Sequence, residues 1–324
     1  MTANNFDIFG ITETNIHWNN GEVYRRLMHE AKRYTKDSHT NITPSDTQVD
    51  WHTQYKPGGT VTIVKGKLTT MLMNKHTDFP LGRWSSITIG PPNHQLVIIT
   101  AYIVNHTTID PSKDKTSAYQ QWQLLSQRDE KLHPRIKSIH DLIDFIRKLR
   151  LQGKEIVLCV DSNENKHMNN KFLNRLSTQC GLSIAFEVPP DTTSYRQGTS
   201  QLDFVLCSLK IKSFIRFSQL QEFGTICSSD HASFVLDIAF CQWIGHSIQD
   251  SKPPNQRIIT SLKPKQIAQY KKKVVEYMDT TSVKDAITKL NAMLESQECT
   301  AQAYDILTEL DDVFTRSRLV QNMT

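Results

Sequence analysis

Carboxylates, amides and imidazoles become chemistry when a fold brings them together, and several in this sequence stand where an apolar run ends. The clearest run is Glu155-Ile156-Val157-Leu158-Cys159-Val160-Asp161-Ser162-Asn163. Its mostly apolar, β-branched character predicts a short buried strand. Asp161 and Asn163 then fall at the strand's C-terminal mouth, where open sheets commonly present chemistry. Asp and Asn also end strands simply as turn formers, so the pair gains meaning only from partners. Four other strand patterns supply candidates. One over Phe6–Ile11 ends on Glu13, and one over Leu96–Ala101 ends on Tyr102. Asp203 lies in a third, at about 202–208, and Ser229-Asp230-His231 precedes a fourth, at about 233–240. Each has a plain structural reading: Tyr102 as a core aromatic with a wet hydroxyl, Asp203 and Ser229-Asp230-His231 as turn residues. Taken together, the set is rich in hard oxygen donors and holds a single histidine. Such donors select Mg²⁺, Mn²⁺ or Ca²⁺ over zinc. Mg²⁺ keeps open positions for phosphate oxygens, which points to phosphoryl-ester chemistry.

The elements that must position these residues include short strands joined by turns, which indicate an antiparallel sheet rather than a βαβ series. Residues 58–64, 85–89 and 96–102 read as strands, the last two separated by Gly90-Pro91-Pro92. Further strands are expected at 202–208, 211–217 and 233–240. Helices are expected from Gly21 to Tyr34, over 117–130, and over 134–151, where Pro134 starts and Gly153 stops a strong helical period. Another runs through Phe172, Leu173 and Leu176 to Gly181. Residues 35–57 are polar, without a period, and read as a surface loop. After Ile244 the strand signal disappears and amphipathic helical patterns take over.

Composition sets the outer bounds. The chain has 324 residues, is 38% hydrophobic and 22% charged, and carries a formal charge of +5. These values belong to an ordinary globular protein, with room for one large domain and an appendage. No apolar run reaches the roughly 18–20 residues of a membrane span. The N-terminus lacks a signal-peptide pattern, so the expectation is an intracellular protein, nuclear or cytoplasmic, with sequons at Asn41, Asn105 and Asn322 that carry no meaning. The six cysteines are scattered, with no C-x-x-C pair. That argues against a disulfide scaffold, a disulfide-linked partner and a cysteine zinc site.

The motifs E-T-N at Glu13, G-G-T-V-T-I-V at Gly58, A-Y at Tyr102, V-D-S-N at Asp161, T-S-Q-L-D-F-V at Asp203 and S-D-H at Ser229 together resemble the endonuclease/exonuclease/phosphatase family. In style, I-T-E-T-N-I-H-W-N-N, Y-K-P-G-G-T and G-T-S-Q-L-D-F-V look like the endonuclease domain of LINE-type retrotransposon polyproteins. The resemblance implies an α+β, four-layer, two-sheet DNase I-like fold over residues 1–240, a linker over 241–262 and a helical connector over 263–324. It implies DNA as partner and Mg²⁺ or Mn²⁺ as cofactor. Glu13 and Asp230 would hold the metal, and Asp161 would orient or deprotonate water beside Asn163. His231, set by Asp203, would meet a phosphate oxygen, and Tyr102 would hydrogen-bond the phosphate. Ser194 and Arg196, before the Asp203 strand, read equally as phosphate contacts or as part of a solvated loop.

The family normally opens with one more strand, ending in an Asn, before the strand that carries its Glu. Only five residues precede Phe6, and Asn4 and Asn5 cannot take that place. The expectation is a sheet lacking its first strand, as in a truncated retroelement copy or incomplete gene model. An inactive nucleic-acid-binding remnant therefore stands beside the nuclease as an alternative, as does a phosphatase or phosphodiesterase of the same fold. In the C-terminal part, Tyr277-Met278-Asp279-Thr280 echoes a polymerase Y-x-D-D but lacks its second Asp. Lys271-Lys272-Lys273 reads as a solvated helix face.

Overall fold

The protein is described by a computed structural model. It covers residues 6–19, 21–34, 40–49, 55–106, 108–110, 112, 115–164, 171–189, 192–198, 200–248, 268–269, 271–272, 275–276, 279, 283–295 and 306. Two compact units form, Met1–Asp250 and Ser251–Thr324. In the second, one helix spans Val283–Glu295; most of the expected linker and helical connector, and most of Tyr277–Thr280, lie outside the described residues. Among the described residues, no helix is long and apolar enough to cross a membrane.

The first unit is built on two facing sheets. Strands β1 (Ile8–Thr12), β2 (Thr40–Ser45) and β3 (Thr60–Lys65) make one, in the order β1-β3-β2. The other has six strands: β4 (Leu72–Thr77), β5 (Trp84–Ile89), β6 (Leu96–Tyr102), β7 (Glu155–Asp161), β8 (Leu182–Ile184) and β9 (Asp203–Ser208). Their order is β4-β5-β6-β7-β9-β8, antiparallel throughout except for the β6–β7 pair. A parallel pair needs a long crossover, which helices α1 (Ser117–Ser126) and α2 (Pro134–Leu151) supply. The pair β10 (Ile215–Leu220) and β11 (Phe234–Ile238) completes the strands.

The apolar periods explain the layers. On β6 and β7, Val97, Ile99, Ala101, Ile156, Leu158 and Val160 face Leu142, Ile143 and Ile146 of α2. The alternate residues Leu96, Ile98 and Val157 face inward, towards Val64 of the opposite sheet. Strands buried on both faces lose alternation and read as continuous apolar runs, which is how these two appear in the sequence. A fully buried Leu or Ile here is worth about 1.5–3 kcal/mol. The outer face of the small sheet is covered by Tyr24 and Leu27, from the helix Gly21–Tyr34, packing with Ile42, Val61 and Ile63. Helix, sheet, sheet and helix give the four expected layers.

Towards the site the apolar core gives way to hydroxyls that cross between the sheets. Thr62 Oγ1 donates to Thr100 Oγ1 at 2.9 Å and Thr60 Oγ1 to Ser85 Oγ at 3.2 Å. The backbones approach closely: a Cβ on Gly10 would lie 2.4 Å from Thr100 Oγ1.

Several elements depart from the sequence expectation, the short β8 among them. The expected loop at 35–57 contains β2, and the polar β4 was not anticipated. Both are edge strands, where one-sided pairing tolerates polar residues and even Pro44. The strand expected at 211–217 is a short helix, Leu209–Lys212, followed by β10. Among the described residues β1 pairs only with β3, and β11 only with β10. Ile8 of β1 and Phe234, Leu236 and Ile238 of β11 nonetheless pack against the same inter-sheet core.

Gly82, in the turn between β4 and β5, has φ +67°, and a Cβ there would sit 2.1 Å from the Asp46 carbonyl carbon. Backbone cannot yield as a side-chain tip can. Gly82→Ala is expected to cost about 2 kcal/mol or more, read as a lower midpoint in urea unfolding with an unchanged m-value. A wild-type midpoint would contradict this packing.

Candidate active site

Strand register builds the site. Tyr102 is paired with Asp161 across β6–β7, and Asp161 with Asp203 across β7–β9. Three site residues from distant parts of the sequence thus lie in one row at the same sheet edge. The opposite sheet contributes Glu13, one residue beyond Thr12, which is paired with Thr60. Carboxylate and imidazole atoms of Glu13, Asp161 and His231 lie within 4.8 Å of one another.

The Glu13 turn is pinned by the chain leading into β3. Asn15 N–H donates to Gly58 O at 2.8 Å, Gly58 N–H returns a bond to Asn15 Oδ1 at 2.9 Å, and Lys56 N–H donates to Asn15 O at 2.8 Å. Lys56 is itself buried, its ammonium 3.2 Å from Asp46 Oδ2 and bonded to the carbonyls of Thr47 and Val49. Glu13, Asn15 and Asn163 all have positive φ (48°, 54° and 47°). Non-glycine residues seldom adopt this conformation, and it persists where surrounding bonds enforce it.

Asp161 is 2% exposed. Burial first, then the Asp203 and Glu13 carboxylates, push it well above the usual carboxylate range, while His231 pulls the other way. Its Oδ1 accepts the Asn163 N–H at 3.1 Å, and Asn163 Nδ2 donates to Ile103 O at 2.9 Å. His231 Nδ1 lies 2.9 Å from Asp203 Oδ2. That bond is the main reason the imidazole is pushed up to about 9, against burial and with help from the Asp203, Asp161 and Glu13 charges. His231 is therefore an imidazolium at neutral pH, with Nε2 free of the Asp203 contact. Tyr102 is buried, and its phenol is held neutral by desolvation and by the adjacent, hydrogen-bonded Glu13.

The donor set suits a hard divalent cation. Crowded carboxylates around a buried Asp161 are costly without a compensating charge. Glu13 and Asp161 offer oxygens of the kind Mg²⁺ and Mn²⁺ prefer. A protonated His231 is a poor ligand and a good anion contact.

Two expected site residues stand outside that cluster. Asp230 is exposed and stands outside the Glu13–Asp161–His231 cluster; its main chain instead accepts the Arg196 N–H at 2.8 Å. Ser194 is fully buried, and its Oγ accepts the N–H groups of Leu202 at 2.9 Å and Asp203 at 3.0 Å. It supports Asp203 and does not face a ligand. The sequence placed it correctly near the Asp203 strand, but burial decided its task. Arg196 is exposed, with its guanidinium over the Phe223 ring at 5.4 Å, and Tyr195 packs on His231 with ring centres 5.1 Å apart. Asn15 and Lys56 lay inside motifs singled out in the sequence, yet no period marks a lysine that folds inward.

No protein-family model and no curated protein matches the chain. Solved structures do. The catalytic domain of Xenopus laevis APE2 superposes with a TM-score of 0.50 at 14% identity, over 72% of this chain and 83% of that one. The AP endonuclease LMAP from Leishmania major gives 0.49 at 12% identity, over 71% and 77%. The endonuclease domain of TRAS1, a telomere-specific non-LTR retrotransposon, gives 0.38 at 14% identity, over 71% and 98%. Layer order, strand register and the likeness to the APE2 domain agree that the chain has a DNase I-like fold.

Proposed function

We propose that the chain is a Mg²⁺- or Mn²⁺-dependent phosphodiesterase that cuts DNA internally, the nuclease of a retrotransposon-like element. The observation that carries this reading is the meeting of Glu13, Asp161 and His231 within 4.8 Å, with Asp203 2.9 Å behind the imidazole.

Glu13 and Asp161 would hold the cation, which when bound supplies positive charge to the phosphate. The chain's own groups do the rest. Asp161 orients the attacking water and accepts its proton. Asn163, locked by its bonds to Asp161 and Ile103, flanks that water. His231 donates from Nε2 to a non-bridging phosphate oxygen, stabilising charge that grows towards the transition state. Tyr102 holds Glu13 in place and lies within the phosphate's surroundings. Arg196, exposed beside Asp230, is placed to meet a flanking phosphate. The water oxygen bonds to phosphorus, one P–O ester bond breaks, and the departing alkoxide takes a proton from solvent water, while Asp161 returns the proton it accepted to solvent. On this reading residues 241–262 link the nuclease to a helical connector at 263–324.

Supercoiled plasmid incubated with the protein in Mg²⁺ is expected to become nicked circles, and EDTA is expected to stop the reaction. Intact plasmid with phosphate released from inositol phosphates would transfer the fold to phosphatase chemistry. Salt-sensitive DNA binding without any cut would make the chain a binding remnant.

A further inference from the structure

The proposed site stands on two adjacent strand ends, those of β6 and β7, and one charged side chain outside the site touches the segments leaving both. Arg135 lies in the first turn of α2 and is 7% exposed. Its Nη1 donates to Val104 O and to Ser162 O, each at 2.9 Å. Its Nη2 reaches Glu164 Oε2 at 3.2 Å. Val104 is two residues past Tyr102, and Ser162 lies between Asp161 and Asn163. Two more bonds cross the same seam: Ile103 N–H to Asp161 O, and Asn163 Nδ2 to Ile103 O, both at 2.9 Å.

The need for such a group is physical. Where β6 and β7 end, the ladder stops providing donors, and buried carbonyls must find others. A planar guanidinium can serve two carbonyls and a carboxylate at once, in fixed geometry, as a single ammonium cannot. The cost of burying its charge, which lowers the Arg135 pKa, is opposed by Glu164 and further by Asp161 and Tyr102.

We propose that Arg135 is a positioning residue for phosphodiester cleavage: its guanidinium clamps the ends of β6 and β7 and so keeps Tyr102, Asp161 and Asn163 in register. The proposal rests on the reading of the site given above. A displacement of about 1 Å in such a site costs on the order of 10²-fold in rate.

The test compares the full chain with Arg135→Met, Arg135→Lys and Glu164→Gln, by plasmid nicking in Mg²⁺ and by amide hydrogen exchange. Arg135→Met is expected to lower kcat on the order of 10²-fold per folded molecule, with KM held within about twofold. Arg135→Lys, able to reach one carbonyl, is expected to recover about tenfold of that loss. Glu164→Gln keeps both carbonyl bonds and is expected to stay within about threefold of wild type. The Ile103 amide is expected to exchange at least about tenfold faster in Arg135→Met, while Leu158 in the sheet interior follows only global stability. A kcat per folded molecule equal to wild type, or Ile103 and Leu158 accelerating together, would overturn the clamp. Should Arg135→Met fail to fold, Arg135→Lys decides: a kcat loss at constant KM with selective exchange at Ile103 supports the proposal, and wild-type behaviour defeats it. If the wild-type chain cuts nothing, the nuclease reading fails, and exchange at Ile103 still decides whether Arg135 holds the strand ends.

Discussion

Asp161→Asn is expected to remove cleavage almost entirely, lowering the nicking rate by roughly 10³–10⁴-fold, while leaving the fold intact or firmer. Asn has the shape of Asp and keeps an oxygen for the Asn163 N–H, so the turn after β7 retains its bond. It cannot accept the water's proton or offer the cation an anionic oxygen. The stability half follows from linkage. Burial and the neighbouring carboxylates raise the folded pKa of Asp161 above 3.8. The unfolded chain therefore ionises this group first, and stability contributed by it falls as pH rises through that window. At neutral pH, in EDTA, the charged or strained carboxylate is a liability that a neutral amide relieves, as is common where activity and stability oppose each other. Nicking assays in Mg²⁺ and thermal unfolding in EDTA check the two halves. Nicking within tenfold of wild type would remove Asp161 from the mechanism, and a large drop in midpoint would show its role to be structural.

Asp203→Asn is expected to move the alkaline limit of activity downwards. His231 is pushed up to about 9, chiefly by its hydrogen bond to Asp203. A mechanism that needs the imidazolium is supplied with it below that pH and loses it above. Without the Asp203 bond and charge, burial lowers the imidazole while the Asp161 and Glu13 charges still raise it, so its pKa falls from about 9 towards the ordinary value of about 6.5. At pH 8 the variant is expected to lose about 10–100-fold, part of which returns at pH 6. The same pair is linked to folding. Its stabilisation is complete below about 6.5, the unfolded value, and fades as pH climbs through about 9. Parallel pH–rate profiles of wild type and Asp203→Asn, measured in Mg²⁺, check the sign. Coincident profiles would mean that the imidazolium is not the working form.

Much of this protein was legible in the sequence because local rules and tertiary demands agreed there. The runs 96–102 and 155–161 are largely apolar because both faces bury them, with Thr100 and Asp161 the buried polar exceptions near the site. Helix 134–151 carries its period, its Pro and its trailing Gly, and it formed where expected. The types of the site residues, hard oxygens and one imidazole at strand ends, already indicated phosphoryl chemistry.

Tertiary structure alone decided the rest. β4 has a weak pattern because an exposed edge strand is defined by a neighbour's open ladder rather than by burial of its own side chains, and β2 because most of what it buries is polar. Ser194 and Asp230 have side chains capable of the roles the motifs suggested, but one is folded under Asp203 and the other turned to solvent. Lys56 and Arg135 are charged residues that local pattern assigns to the surface. Each is buried because carbonyls and a carboxylate brought from elsewhere in the chain satisfy it. The sequence by itself determined which groups can react. Only the folded register, which sets Tyr102 beside Asp161 and Asp161 beside Asp203, decided which of them meet, because that proximity arises from pairing between strands far apart along the chain.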